Sequence, residues 1–349
     1  MGVRPLVSIV TPSYNQARYL EQTIQSVIYQ PACGEIFDLE YIIVDGGSTD
    51  GSQDIIRKYQ SSLAWWVSER DHGQAEAINK GLRRARGEIV AWLNSDDLYL
   101  PGALAQAVRI LEQDSSLGMV FGDAIAIDES AQPIHRWSFG NWGLREFLRF
   151  RVICQPAVFL RRSVVERVGY LDESYHCMLD HHLWIRIAVH SRVCHVASLW
   201  AAARQHNQAK NVAWARRFSE ETQRVYEWML AQPNLASMIA ADRRKVLGGM
   251  YRLQARYSLD GGEPSPALRY YARALYYDPP YALKHWHRML YATLLWVGGK
   301  KVKIWMETVN RKRRNKFARA FLASVTLKGS HSNETWYNAL GDREDVFRR

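Results

Sequence analysis

Two adjacent carboxylates, Asp96 and Asp97, stand directly after the apolar run at residues 89–93. A short continuous apolar run is typical of a buried parallel strand, and open α/β sheets bind ligands beyond the carboxyl ends of their strands. Neighbouring acids repel one another unless a cation offsets their charge, and hard oxygen ligands favour Mg²⁺ or Mn²⁺. The pair therefore predicts a divalent-metal site at a strand end.

The elements that position this pair alternate between strands and helices. The expected elements are strands at 6–10, 39–44, 63–67 and 88–93 and helices at 16–30, 55–59, 75–84 and 104–111, followed by strands at 119–127, 157–160 and 194–199. This order implies a mostly parallel sheet with right-handed crossovers and flanking helices. Neither GxGxxG nor GxxxxGK[ST] occurs, so dinucleotide or ATP binding by those loops is not indicated.

Two local expectations concern the start of the chain. Pro12 lacks a backbone N–H, so we expect it to end the pairing of the first strand. Asn15 precedes the first helical pattern and is the candidate N-cap of that helix.

The positive charge lies in the C-terminal part of the chain. The net charge is +11, and residues 201–349 hold 27 Lys/Arg against 12 Asp/Glu. The apolar run at 289–297 is too short to cross a bilayer. The basic, tryptophan-bearing segment 285–319 suits peripheral contact with an anionic membrane surface, and an amphipathic helix that covers a core beside a solvated basic tail is an equally weighted alternative.

The cysteines and the N-terminus indicate the cellular compartment of the protein. The four cysteines form no CxxC pair, so neither a zinc site nor a disulfide framework is expected. No charged-then-apolar leader opens the chain, which predicts a cytoplasmic protein, at the inner face of the membrane if the basic segment binds lipid.

Five motifs, taken together and in order, resemble glycosyltransferase family 2, which has the GT-A fold. They are TPSYN at 11–15, VDGGSTD at 44–50, DxGxAxAxNxG at 71–81, WLNSDD at 92–97 and LD at 179–180. The resemblance covers about residues 5–210 and implies a GT-A nucleotide-diphospho-sugar transferase domain at 1–210. Its nucleotide-sugar-binding half is expected at 1–115 and its acceptor-side half at 116–210, followed by a helical C-terminal region at 211–349.

The resemblance also implies a reaction and a set of residues. The reaction is inverting transfer from a nucleotide-diphosphate sugar, with Mn²⁺ or Mg²⁺ on the diphosphate. Asp96 and His206 are the implied metal ligands, and Asp180 is the implied base that takes the acceptor's proton. The implied donor contacts are Thr11, Pro12, Tyr14, Asp45, Asp71, Asn79, Asn94, Ser95 and Asp97.

Two positions depart from the family pattern. Asn94 stands where relatives usually carry the first acid of Asp-x-Asp, and Leu179 stands where many carry Glu. His181 or His182 then becomes a candidate helper of Asp180, although a histidine beside a helix start is more often a surface residue.

Simpler roles stay open for several of these residues. Asp45 could form an Asx turn, Tyr14 could be an ordinary half-buried loop residue, and Asp180 could cap its helix. Asp97 could support the site or contact the sugar.

The sequence thus predicts an enzyme that moves one sugar, with a UDP-sugar favoured, to a hydroxyl acceptor. Glycan, O-antigen or exopolysaccharide assembly on a lipid carrier is the favoured setting. The absence of QxxRW disfavours a processive synthase. The alternative is a catalytically inactive scaffold or sensor that binds nucleotide sugars, while nucleic-acid binding is disfavoured because no nucleic-acid-binding module is recognisable.

Overall fold

The computed structural model describes residues 3–206 and 214–326. Within them, one nine-stranded sheet has the order β3-β2-β1-β4-β8-β6-β9-β5, and β7 pairs with β6. The strands are β1 Leu6–Ser13, β2 Asp38–Asp45, β3 Trp65–Ser68, β4 Ile89–Trp92, β5 Leu98–Tyr99, β6 Leu117–Ile127, β7 Pro133–Trp137, β8 Val158–Arg161 and β9 Arg192–Arg204.

The long ladders of the sheet are parallel. β1 pairs in parallel with β2 and β4, β2 with β3, and β6 with β9. The antiparallel pairs β4–β8 and β6–β8 join the two parallel parts. The predicted α/β class with a mostly parallel sheet is therefore confirmed.

Helices flank the sheet and continue beyond it. They are α1 Ala17–Ile28, α2 Ser52–Lys58, α3 Gln74–Arg84, α4 Ala103–Gln113, α5 Leu144–Leu148, α6 Arg162–Val168, α7 Leu179–His190, α8 Ala215–Ala231, α9 Pro233–Asp260, α10 Pro264–Tyr277, α11 Pro279–Leu283 and α12 Trp286–Thr326. Alternate residues of each central strand face opposite apolar clusters, so the sheet is covered by helices on both faces.

The expectation that Pro12 ends strand pairing is wrong, because β1 continues to Ser13 beside β2. The Val10 carbonyl accepts a hydrogen bond from the Leu93 N–H on the β4 side, and the Ser13 carbonyl accepts one from the Gly46 N–H on the β2 side. Alternation along the strand turns the nitrogen of Pro12 toward the β4 side, beyond the last β4 pair, where no donor is needed.

The expectation that Asn15 caps α1 is also wrong. Asn15 has a left-handed φ of 51°, and its side-chain oxygen accepts a hydrogen bond from the Thr49 N–H instead. The carboxylate of Asp50 takes the capping role, accepting from the Ala17 N–H at 2.9 Å. The loop after β2 therefore satisfies the N-terminus of a helix that follows β1.

The C-terminal helices share the core of the sheet. One apolar cluster runs from Val10 on β1 through Trp92 on β4 to Tyr257 on α9. Gly249 permits this approach, because a Cβ there would lie 1.9 Å from the carbonyl oxygen of Arg149. The sequence boundary near residue 211 therefore falls between elements that pack against one another.

Helix α12 has two different halves, separated by a kink at Gly299. Beyond the kink, Phe317 and Phe321 pack on a small apolar cluster that includes Ile125 and Ile127 of β6. Before it, an apolar stripe with helical spacing stays exposed, formed by Trp286, Leu290, Leu294 and Val297. No helix in the described ranges is long and apolar enough to pass through a bilayer.

Candidate active site

The candidate site lies beyond the carboxyl ends of β1, β2 and β4, where an α/β sheet offers a binding crevice. The loop after β4 carries residues 94–97, and β5 follows it directly. β5 pairs with the end of β9, placing Leu98 opposite Ala202. This pairing brings His206, a residue more than a hundred positions later, to the strand-end acids.

Asp96 and His206 meet at this edge. The imidazole Nε2 lies 3.0 Å from Oδ2 of Asp96, and the histidine ring packs against Tyr19 at a centroid distance of 5.4 Å. Asp96 keeps 22% of its side chain exposed, whereas the His206 side chain keeps 4%. The two implied metal ligands are therefore adjacent, and Asp96 is the one open to solvent.

Arg204 holds the strand-end acids Asp96 and Asp97 in place, a role that no sequence pattern indicated. Its backbone N–H donates to Oδ1 of Asp97, and its Nε donates to the backbone carbonyl of Asp96, both at 2.9 Å. The guanidinium also lies over the Tyr19 ring at 4.6 Å. Arg204 therefore ties the end of β9 to the loop after β4.

Asp97 is buried within this loop. Its carboxylate accepts hydrogen bonds from the Arg204 backbone and from the Asn94 side chain. Burial, and then the neighbouring charge of Asp96, raise the pKa of Asp97 well above its usual range. The structure thus gives Asp97 the supporting place and leaves Asp96 as the accessible acid.

Asn94 is held from both sides. Its Oδ1 accepts a hydrogen bond from Nε2 of Gln74 at 2.6 Å, and its Nδ2 lies 3.3 Å from Asp97. Ser95 is buried next to it. Gln74, at the start of α3, was not singled out from the sequence.

Tyr14 and Asp71 flank a narrow gap at the donor side. Tyr14 is 62% exposed, as a ring available for stacking must be. A Cβ on Gly46 would lie 2.7 Å from Oδ2 of Asp71 and 3.3 Å from the Tyr14 ring, so a side chain at this position would collide with both. Burial raises the pKa of Asp71, and its Oδ1 accepts from the Gly73 N–H.

Asp45 is fully buried behind this gap. Its carboxylate accepts hydrogen bonds from the Gly47 and Ser48 backbones and from the Ser48 and Ser68 hydroxyls. This is the Asx-turn alternative left open by the sequence. Oδ2 accepts three of these hydrogen bonds and Oδ1 accepts one, so the carboxylate retains acceptor capacity at Oδ1.

Three further implied donor contacts also lie inside the protein. Pro12 is buried, and so is Thr11, whose hydroxyl contacts that of Tyr41. Asn79 makes hydrogen bonds to the backbone N–H and C=O of Leu171 and to the Glu173 carboxylate. Asn79 therefore holds the segment before α7 to α3, and its amide does not face the donor gap.

Asp180 lies in the first turn of α7, whose N-cap is Met178, so Asp180 is not the cap. The pKa of the Cys154 thiol shows which charged groups lie near Asp180. Burial raises the pKa of Cys154 well above its usual range, and the charges of Asp97 and Asp180 raise it further. Asp180 and Asp97 therefore both lie near enough to Cys154 to act on its thiol.

His181 and His182 are buried, so the surface interpretation of these residues is wrong. Burial lowers the pKa of His181 to about 4 and that of His182 to about 3. His182 packs between the rings of Tyr175 and Trp228. Both histidines are neutral at pH 7 and belong to the core.

Glu221 of α8 is a buried residue beside this site that the sequence analysis missed. Its carboxylate accepts hydrogen bonds from the backbone N–H groups of His176, Cys177 and Met178 at 2.7 to 3.1 Å. These residues immediately precede α7. A buried glutamate outside the recognised motifs therefore fixes the segment that leads to Asp180.

The described residues contain no group of three or more His, Cys, Asp or Glu side chains placed to hold a metal ion. The Asp96–His206 pair offers two ligands of types that Mn²⁺ accepts. Mg²⁺ is commonly held by one or two carboxylates, with substrate phosphates and water filling the other positions. A two-ligand site at this edge therefore fits a metal that is shared with a diphosphate.

The fold and this edge define a class: a GT-A type α/β protein with a polar crevice beyond its parallel strands. The profile of glycosyl transferase family 2 matches residues 8–169. An uncharacterized glycosyltransferase of Mycobacterium tuberculosis is 30% identical over 195 residues, which cover 54% of this chain and 71% of that protein. The chain belongs to glycosyltransferase family 2 and is a glycosyltransferase.

Solved structures share the fold. The mannosyltransferase PcManGT from Pyrobaculum calidifontis, in complex with GDP-Man and Mn²⁺, superposes with a TM-score of 0.55 at 22% identity, covering 91% of this chain and 87% of that one. S. aureus TarS residues 1–349, in complex with UDP-GlcNAc, superposes with a TM-score of 0.51 at 15% identity, covering 84% and 92%. Both matches extend beyond residue 210 because they cover most of this chain.

Proposed function

We propose that the chain transfers one sugar, with inversion, from a nucleotide-diphosphate sugar to a hydroxyl acceptor. The observation that carries the proposal is the contact between Asp96 and His206 at the carboxyl edge of the sheet. Two structural neighbours were solved in complex with UDP-GlcNAc and with GDP-Man and Mn²⁺, which supports a nucleotide-sugar donor and a divalent metal.

The donor lies, in this proposal, between Tyr14 and the loop that carries Asp71. The exposed Tyr14 ring stacks on the base, and Asp71 accepts hydrogen bonds from ribose or sugar hydroxyls. Asp45 shapes the loop beneath the base through its Asx turn. A UDP-sugar remains the favoured donor.

Asp96 and His206 would hold Mn²⁺ or Mg²⁺, and the metal would supply Lewis-acid neutralisation of charge at the leaving diphosphate. Asn94 and Asp97 support this pair through their mutual contact and through Gln74 and Arg204. Asp97, whose pKa is raised by burial, supports this loop from inside the protein.

Asp180 takes the proton from the acceptor hydroxyl as the oxygen attacks the anomeric carbon opposite the diphosphate. A base in this role must reach the hydroxyl in the bound complex. Leu179 supplies no second acid, and the neutral, buried His181 and His182 do not assist. Asp180 therefore acts without a partner base from its own helix.

Donor hydrolysis with and without Mn²⁺ tests the assignment. We expect Asp96→Ala to lose activity by about 100-fold or more, as removal of a key electrostatic group does. Asp54→Ala, which removes an exposed acid from α2, serves as the control. Asp180→Asn should keep donor binding and lose sugar transfer. No turnover in the wild-type protein with any donor, despite donor binding, would instead support the inactive scaffold or sensor, which Asn94 keeps open.

The acceptor is, in this proposal, a glycan on a lipid carrier, and residues 211–349 bring the transferase domain at 1–210 to the cytoplasmic face of the membrane. The apolar stripe of α12 supports this, because exposed Trp and Leu beside basic residues suit an anionic surface.

Vesicle co-sedimentation tests membrane contact. Trp286→Gln combined with Leu290→Gln should reduce binding to phosphatidylglycerol vesicles, whereas Leu230→Gln on α8 replaces an equally exposed leucine as a control. Unchanged binding by the double variant would remove the stripe from the proposal.

A further inference from the structure

A cluster of guanidinium groups lies where α9 and α12 meet the segment after α5. We call it the arginine cluster; its members are Arg151, Arg252, Arg256 and Arg288. Arg151 and Arg252 both lie over the ring of Tyr281, at 4.9 and 5.4 Å from its centroid. Arg256 and Arg288 both pair with Asp260, at 3.5 and 3.0 Å.

The arginine cluster holds more positive charge than its protein partners neutralise. Within the described residues, all ion pairs of these four arginines go to Asp260. Arg252 is 6% exposed, and its Nε has no hydrogen-bond partner among the described residues. Its Nη2 donates to the backbone carbonyl of Phe150 at 3.1 Å, but no carboxylate pairs with it among the described residues. A buried cation without an anionic partner is costly, so the arrangement favours an anionic ligand.

The pKa of His285, beside the arginine cluster, is lowered by burial and by the same positive charge. Burial, and then the charges of Arg252, Arg288, His287 and Arg256, lower the pKa of His285 to about 3. Like charges that act on one imidazole from several elements indicate a concentrated positive potential.

This potential lies beside the proposed base. Asp180 and Arg256 both act on the Cys154 thiol: the charge of Asp180 raises its pKa and the charge of Arg256 lowers it. Tyr257, next to Arg256 on α9, also feels the charge of Asp180. Direct contacts make the same link, because Arg252 donates to the backbone carbonyl of Phe150 at 3.1 Å and the Phe150 ring stacks on His181, the residue after Asp180, at 5.6 Å. The arginine cluster and Asp180 therefore lie close to each other.

We propose that the arginine cluster binds a phosphate or diphosphate group of the acceptor and so places its hydroxyl near Asp180. The guanidinium fork matches phosphate oxygens in a bidentate geometry, and Arg151 stacks on the ring of Tyr281 without an ion pair among the described residues. Arg151 also lies over Trp142, at 5.5 Å. This inference rests on the proposed function, because it concerns the acceptor of the same reaction.

Calorimetric titration tests the proposal with farnesyl diphosphate, farnesol and inorganic diphosphate. We expect the wild-type protein to bind farnesyl diphosphate but not farnesol. Arg256→Gln and Arg151→Gln should each weaken binding by about tenfold or more, the loss expected for a hydrogen bond between charged groups. Arg256→Lys should restore part of the affinity, and the exposed Arg57→Gln on α2 should change nothing.

The outcomes separate this site from the donor site. Asp96→Ala should leave farnesyl diphosphate binding unchanged, so a failure of the metal assignment does not imitate a failure here. Inorganic diphosphate that binds as tightly and needs Arg256 would support a site for the anion alone. Equal affinity in the wild type and Arg256→Gln, or equal binding of farnesol, would overturn the proposal.

Discussion

Replacement of Glu221 by Gln is the sharpest test of how the C-terminal helices support the site. The Glu221 side chain keeps 2% of its surface exposed, and its carboxylate accepts from three consecutive backbone N–H groups as well as pairing with Arg217 at 3.1 Å. These three peptide groups lead directly into α7 and Asp180.

The expected magnitude follows from the chemistry of the replacement. Glutamine has the same shape but only one acceptor oxygen, and its NH₂ group would face N–H donors. One or two charge-assisted hydrogen bonds are lost, each contributing about 1.5–3 kcal/mol, so we expect Glu221→Gln to lower the free energy of unfolding by roughly 2–4 kcal/mol. Because the loop before Asp180 loosens, kcat for transfer should fall while KM for the donor stays near its wild-type value.

Glu220→Gln is the matched control. Glu220 is the neighbouring residue and also pairs with an arginine four positions away, but its side chain is 60% exposed. Surface pairs of this type contribute about 0.5 kcal/mol or less. Urea unfolding and steady-state transfer kinetics on both variants decide the matter. If Glu221→Gln and Glu220→Gln shift the urea midpoint equally and leave kcat alike, the reasoning is refuted.

Two further predictions concern the core. His182 has a pKa of about 3 in the folded protein, against about 6.5 in the unfolded chain. The unfolded chain therefore binds more protons between these two pH values, so native stability should fall as the pH drops from 6.5. His182→Phe should flatten this pH dependence in urea unfolding. Gly249→Ala should lower the melting temperature through overpacking of about 1–3 kcal/mol, whereas Gly143→Ala, where a Cβ would meet nothing within 4 Å, should not. A pH profile unchanged by the first variant, or equal melting of the two alanine variants, would contradict these expectations.

The alternation of strands and helices could be predicted because each apolar run is local in the sequence. The ends of the elements depend on distant partners. Asp50, which lies 33 positions after Ala17, satisfies the start of α1, so inspection of Asn15 beside the helix led to the wrong cap. Pro12 is tolerated in β1 only because β4 has already ended, which the sequence of β1 does not record.

The candidate site was predictable to different degrees. His206 meets Asp96 through the pairing of β5 with β9, and only the family resemblance pointed to that contact across the sequence. Asn79 looked like a donor contact, but Leu171, 92 positions away, competes for its amide. His181 and His182 were expected at the surface because a histidine beside a helix start usually lies there. Helix α7 has no clear polar face and is buried on nearly all sides, so both histidines lie in the core.

Asn94 connects the metal site to the question of activity. An aspartate at this position would add a second negative charge beside Asp96, whereas the amide leaves the proposed metal site with one accessible carboxylate and one imidazole. The Asn94 oxygen accepts from Gln74 and its NH₂ group reaches Asp97, so this side chain braces the loop. On the proposed function, the remaining negative charge around the metal comes from the donor diphosphate, and the donor and the metal therefore bind as a unit.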